Sequence, residues 1–193
     1  MLWIKNNLNK KFKWSIIGQQ VLMAQVYLPT IFANMNKKIL PDYLHKYLKI
    51  GGANVPFNTD AWDGYPKERE RLFKELKKVN SVLVLTGDTH NSWVNNLYDA
   101  NNNFIGVEIG TPAISSPNTI DTFGSFTDRI EEEFIKENKN VMWTEGKHKG
   151  YTLLKLTKDK SEVCFVYVNT VKSKVYKVID NNKFNVKPNT PII

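Results

Sequence analysis

Apolar residues along this chain fall into alternating, helical and continuous patterns, and each predicts a different element. Val82-Leu83-Val84-Leu85 is continuous, so Ser81 to Leu85 reads as a strand buried on both faces. Just before it, Leu72, Leu76 and Val79 recur at helical spacing behind Pro66, with Glu70 and Lys74 four apart on the exposed side. That helix ends at Asn80. Trp93 to Tyr98 and Phe104 to Ile109 predict two strands joined by a turn at Asn101-Asn102-Asn103. Tyr151 to Leu156 and Glu162 to Asn169 predict a hairpin around Lys158-Asp159-Lys160, and Val175 to Ile179 an edge strand.

The remaining stretches are less regular. Trp3, Ile4 and Leu8 predict the end of a helix over residues 2–9, and Trp14 to Ile17 a short strand closed by Gly18-Gln19-Gln20. Residues 25–60 carry Pro29, Pro41, Pro56 and Gly51-Gly52 with little periodicity. They read as a long excursion with one short helix near Tyr43 to Leu48, a length of connection usually tied to function. Thr111-Pro112 through Ser116-Pro117 is a loop, and Ser125 or Thr127 caps a helix over Asp128 to Lys136 whose Ile130 and Phe134 face inward. Helix, buried strand and polar loop in that order predict an α/β layered fold with its site at the carboxyl ends of strands. No internal repeat or domain boundary interrupts residues 1–180, and 181–193 read as a loose tail.

Composition adds limits. The chain has 193 residues, of which 41% are hydrophobic, enough for one domain with a real core. No run of about 18 apolar residues predicts a membrane span. Met1-Leu2-Trp3-Ile4 leads straight into Lys and Asn, which is unlike a secretory signal and reads as a start inside a helix. The net charge of +8 comes from scattered lysines such as Lys10-Lys11, Lys37-Lys38 and Lys77-Lys78, interleaved with Asn. Such spacing describes solvated faces better than a specific nucleic-acid surface. Cys164 is the one cysteine, so neither an internal disulfide nor a CxxC zinc site exists; a buried, inert thiol is expected.

The chemistry concentrates at Gly87-Asp88-Thr89-His90, directly after the buried strand. On an extended segment, residues two apart point to one face, so Asp88 and His90 reach one metal or two neighbouring ones. A carboxylate suits hard cations; an imidazole suits iron, zinc or manganese. The competing reading is an Asp that caps a turn and a His bonded to it. As the first metal block of a calcineurin-like metallophosphatase, Asp-x-His requires Gly-Asp-x-x-Asp and Gly-Asn-His further on. Neither follows, and Gly87-Asp88 is the only Gly-Asp pair. The flanking residues favour the last metal block instead.

Five ordered blocks carry a family resemblance. They are Trp14-Ser15-Ile16-Ile17-Gly18-Gln19-Gln20-Val21-Leu22-Met23-Ala24, Asp60-Ala61-Trp62-Asp63-Gly64-Tyr65-Pro66-Lys67-Glu68-Arg69, Val84 to Trp93, Val107 to Pro117, and Gly150-Tyr151-Thr152-Leu153-Leu154. Together they resemble the carboxyl-terminal part of PhoD-type alkaline phosphatases, from about Trp3 to about Tyr167. The resemblance implies a partial metallophosphatase fold, a β-sandwich flanked by helices whose amino-terminal half is missing. It implies hydrolysis of phosphate monoesters and diesters with iron and calcium. It makes Asp88 and His90 metal ligands and places Trp62 and Tyr65 near the substrate rim, where packing before a helix is the alternative. Glu108 is read as the polar face of a strand, and His45 and His148 as surface or structural histidines. No catalytic group is assigned.

The family's early metal blocks lie amino-terminal to the matched region, so Asp88 and His90 fall short of a complete site, and the edge and face of Val82 to Leu85 are expected to be sticky. The partners implied are a phosphate ester and the missing half. A full-length relative would be exported. Two further readings are a truncated, non-catalytic remnant and a basic polyanion-binding module.

Overall fold

In the computed structural model, which describes residues 2–39, 42, 45, 48 and 50–193, two β-sheets pack together and helices cover the outer side of the larger one. The larger sheet holds β1 (Ser15–Gly18), β2 (Val82–Thr86), β3 (Ser92–Tyr98), β4 (Phe104–Gly110) and β5 (Val141–Glu145) in the order β1-β2-β4-β3-β5. β1, β2 and β4 run parallel, and β3 runs antiparallel to β4 and β5. The smaller, antiparallel sheet is β6 (Lys149–Leu156), β7 (Ser161–Val168) and β8 (Val178–Val186). The architecture is the expected mixed α/β one.

The continuous apolar run of β2 has a two-sided cause. Val82 and Val84 face the helix layer, where they meet Leu72, Phe73 and Leu76 of α2 (Pro66–Leu76) and Ile130 and Phe134 of α4 (Thr127–Glu137). Leu83 faces the other way, into a second core that joins Val94, Val107 and Ile109 to Val163, Phe165 and Tyr167 of the smaller sheet. Each such side chain contributes about 1.5–3 kcal/mol on burial. β2 therefore lies inside its sheet, between β1 and β4, and both its faces are covered. The expectation of a sticky β2 edge is overturned; the open edge on that side is β1, with Ile16 42% exposed.

Other expectations need smaller corrections. α1 (Leu2–Asn7) and α2 form where their patterns predict, and Pro66 opens α2. α4 is not capped by Ser125 or Thr127: Thr127 is its first residue, and its hydroxyl donates to the Gly124 carbonyl at 2.7 Å. A short helix, α3 (Thr119–Phe123), and strand β5 have no counterpart in the sequence reading. The helix expected near Tyr43 to Leu48 lies outside the described residues except at His45 and Leu48. The segment after Asn181, expected loose, carries β8 on to Val186. Beyond it, Asn189 Oδ1 accepts from Ser81 N at 2.7 Å, and Asn96 exchanges bonds of 2.8 and 3.0 Å with Ile192. Cys164 is half-buried on β7 rather than buried. Among the described residues, no helix is long and apolar enough to cross a membrane.

Candidate functional site

β2 delivers Thr86 to the rim of the larger sheet, and the chain then turns through Gly87 to Asn91. Asp88 and His90 both take left-handed backbone angles, φ 68° and 66°. Side-chain alternation therefore does not apply to them, and the extended-strand argument for a shared face is overturned. Left-handed non-glycine residues are strained and persist where their surroundings hold them. Here the anchors are several. Gly87 N donates to Gln20 O at 2.8 Å, Thr111 N to Thr86 O at 2.9 Å and Ala113 N to His90 O at 3.2 Å. Trp93 Nε1 donates to Thr89 Oγ1 at 2.8 Å.

His90 is oriented by its second ring nitrogen. Its Nδ1 lies 2.6 Å from the Pro117 carbonyl oxygen. A carbonyl only accepts, so Nδ1 carries the proton and the neutral ring keeps its lone pair on Nε2. That is the arrangement commonly found in metal-binding histidines. Asp88 is exposed and lines a cavity of about 660 Å³ together with Gln19, Gln20, Thr86, Thr111 and Thr152. A carboxylate and a neutral imidazole suit a cation in kind but not in number. Among the described residues, no three His, Cys, Asp or Glu side chains come together to hold one.

Trp62 and Tyr65 part company. Trp62 sits in a 3-10 turn (Trp62–Gly64), half-buried against the core, and its Nε1 donates to Gln19 Oε1 at 3.1 Å. It thereby touches a residue of the Asp88 cavity. Tyr65 is 59% exposed at the start of α2.

Glu108 is the largest surprise of the site region. It is fully buried, not a solvated strand face. Its carboxylate accepts from Met23 N at 2.5 Å, Ala24 N at 3.0 Å and Asn95 Nδ2 at 2.9 Å. Burial pushes its pKa up to about 7 against the pull of those three donors. Asp63 is raised for the same reason, although Val26 N and the Arg69 guanidinium, at 2.9 and 2.5 Å, favour its charged form. These carboxylates pin the 20–28 segment beneath the rim. Their only signal in the sequence was an acidic residue set among apolar ones.

His148 is held by Glu145, with Nδ1 2.8 Å from Oε1, and its ring lies 5.3 Å from that of Tyr167. His45 Nε2 lies 3.0 Å from the Lys37 carbonyl oxygen.

The five blocks, dispersed over some 140 residues of sequence, thus meet around one rim. Gln20 holds Gly87, Trp62 holds Gln19, Thr86 holds Thr111, Gly150 N donates to Ala113 O at 2.9 Å, and Thr152 and Thr111 hydroxyls lie 3.1 Å apart. The model of the PhoD-like phosphatase family matches residues 1–165, and the chain belongs to that family. It is 30% identical over 163 residues to alkaline phosphatase D of Bacillus subtilis (strain 168), covering 80% of this chain and 23% of that protein. A solved structure titled as that of PhoD shares the fold at a TM-score of 0.73 and 24% identity, over 96% of this chain and 32% of its own. The chain thus spans about a quarter to a third of the length of these relatives. The family is one of metal-dependent phosphatases.

Proposed function

We propose that this chain forms the carboxyl-terminal part of a phosphatase site that hydrolyses phosphate monoesters and diesters, with Asp88 and His90 as metal ligands. The observation that carries this reading is the strained, anchored loop that brings Asp88 to the rim cavity and, two residues on, a His90 whose Nδ1 is already committed to Pro117. Iron and calcium are the cations implied by the PhoD resemblance, and the donor types suit them: imidazole for the softer ion, carboxylate for the harder. Two donors do not complete a metal shell, so the remaining ligands come from outside these residues. Export of the assembled enzyme belongs to the same reading.

The open edge fits this incompleteness. β1 ends the larger sheet, and beside it Trp3 and Phe12 are 74% and 64% exposed. They border a cavity of about 450 Å³ shared with Ile16, Met23 and Leu72. An apolar edge of this kind recruits another strand. The partner we propose is the portion of a PhoD-family polypeptide that this chain does not span.

The test is co-expression with the part of the Bacillus subtilis enzyme outside the matched 163 residues, its own carboxyl-terminal part serving as positive control. The chain alone, supplied with iron and calcium, is expected to hold little metal and to leave p-nitrophenyl phosphate intact. The co-purified complex is expected to turn it over, and Asp88→Ala or His90→Ala to abolish both turnover and metal retention. Turnover by the chain alone would overturn the incompleteness. Unchanged metal content in both variants would overturn the ligand assignment.

A further inference from the structure

β7 carries a run, Val163-Cys164-Phe165-Val166-Tyr167-Val168, as continuously apolar as that of β2 and longer. Such a run belongs to a strand covered on both faces. β2 meets that expectation, with a core on either side. β7 meets it on one side only. Val163, Phe165 and Tyr167 face the larger sheet and enter the core between the sheets. Cys164, Val166 and Val168 alternate with them and face outward.

The neighbouring strands extend this outer face. Register sets Tyr151 of β6 opposite Val166 and Leu153 opposite Cys164, while Val178 of β8 lies opposite Val168. Tyr151, Leu153 and Val178 are 50%, 53% and 60% exposed. Neither these three nor Val166 and Val168 join either core. Contiguous apolar surface of this kind marks an interaction site.

The border of the face is basic. Lys155 and Lys183 flank it on β6 and β8, and the chain between Glu162 and Asp180 holds Lys172, Lys174 and Lys177 with no acid. Glu162, beside Lys155, is already paired with Lys160 at 2.7 Å.

The backbone of β7 is bonded to β6 on one side and β8 on the other, so no strand can pair with the middle of this face. Its cover must satisfy its own peptide groups. Three strands span about 10 Å between outer axes, close to the width of one helix, about 10–12 Å. The outer side of the larger sheet is closed in the same manner, by α2 and α4.

We infer that the outer face of the smaller sheet seats an amphipathic helix with acidic flanks, supplied by the portion of a PhoD-family polypeptide that this chain does not span. The chain covers 23% and 32% of two relatives, so such a portion is large in them. The inference rests on the proposed assembly with that portion, and adds to the β1 edge a second interface of different chemistry: side chains on a sheet face, with lysines around them.

Cys164, the one cysteine of the chain, lies on this face and reports its cover. Alkylation by iodoacetamide, followed by mass spectrometry of the Cys164 peptide, is compared between the purified chain and its complex with the complementing portion of the Bacillus subtilis enzyme. Alkylation is expected to be about tenfold slower, or more, in the complex. Leu153→Lys, at an exposed position, is expected to keep the unfolding midpoint and to weaken capture about tenfold, whereas Leu153→Met keeps capture. The photo-crosslinking residue p-benzoylphenylalanine in place of Leu153 is expected to join a segment of the complement with apolar residues at helical spacing and Asp or Glu beside them. Capture with Cys164 alkylated at the free rate, or undiminished by Leu153→Lys, overturns this interface and leaves the phosphatase reading intact. A crosslinked segment without that pattern overturns the helix. Failure of the wild-type chain to capture the complement overturns the assembly and this inference with it.

Discussion

At the scale of single residues, strain and buried charge mark the region. Asp88 adopts a left-handed conformation that costs an L residue roughly 1–2 kcal/mol, less for Asp than for most. Asp88→Gly relieves that strain and adds chain entropy to the unfolded state, so thermal stability is expected to hold or rise by a few tenths of a kcal/mol. Metal retention in the assembled enzyme is expected to fall. A calorimetric melt beside a metal analysis checks the pair; loss of stability would show that the aspartate is structural. Glu108 gives the opposite expectation. Glu108→Ala leaves the Met23, Ala24 and Asn95 donors without an acceptor in a buried place, and a loss of about 3–5 kcal/mol in denaturant unfolding is expected. Glu108→Gln keeps the volume but turns an amide group toward donors, at a cost of about 1–3 kcal/mol.

Among the elements, close approach and open edges decide. A side chain at Gly150 would overlap the Val166 carbonyl across the β6–β7 pair. Backbone cannot swing aside as a side chain does, so Gly150→Ala is expected to lower stability by about 1–3 kcal/mol or more, read from the unfolding midpoint. At the other extreme, Ile16 sits on the open strand β1 and is partly exposed. Ile16→Lys is expected to cost under about 0.5 kcal/mol, to reduce self-association in sedimentation, and to prevent capture of the complementing portion. Capture at wild-type strength would remove β1 as the docking edge.

For the whole molecule, pH reports on the buried carboxylates together. Burial raises both Glu108 and Glu131 to about 7 from an ordinary value of 4.5. The folded state therefore keeps protons that the unfolded chain has released between about pH 4.5 and 7. Their stabilising contribution is complete below about 4.5 and lost as pH rises through 7. Unfolding midpoints are expected to fall from pH 5 to pH 8, and Glu108→Gln to flatten that slope. A midpoint independent of pH would show that neither carboxylate is protonated in the fold. The net charge of +8 is spread among lysines, several of them paired with carboxylates, as Lys147 is with Asp128 and Lys149 with Asp121. Retention on heparin is accordingly expected to be weak and to fall shallowly with salt; tight, steeply salt-dependent retention would favour a polyanion-binding role.

Local pattern alone determined much of this protein. Helical spacing behind Pro66, the apolar run of β2 and the β3–β4 and β6–β7 pairs were legible because each element's burial repeats at a short period in its own residues. The five blocks, and with them the family, were legible as order along the chain. The tertiary structure decided what depends on distant partners. Val141–Glu145 forms a strand because β3 offers it an edge, and residues 181–186 extend β8 because β7 does. Glu108 is buried because Met23 and Ala24 fold over it. The orientation of His90 is set by Pro117, 27 residues away, and the contact of the Phe32 and Phe134 rings in the core by segments far apart in sequence. Neither leaves a periodic trace, because a contact between remote residues is a property of the closed chain and not of any window within it.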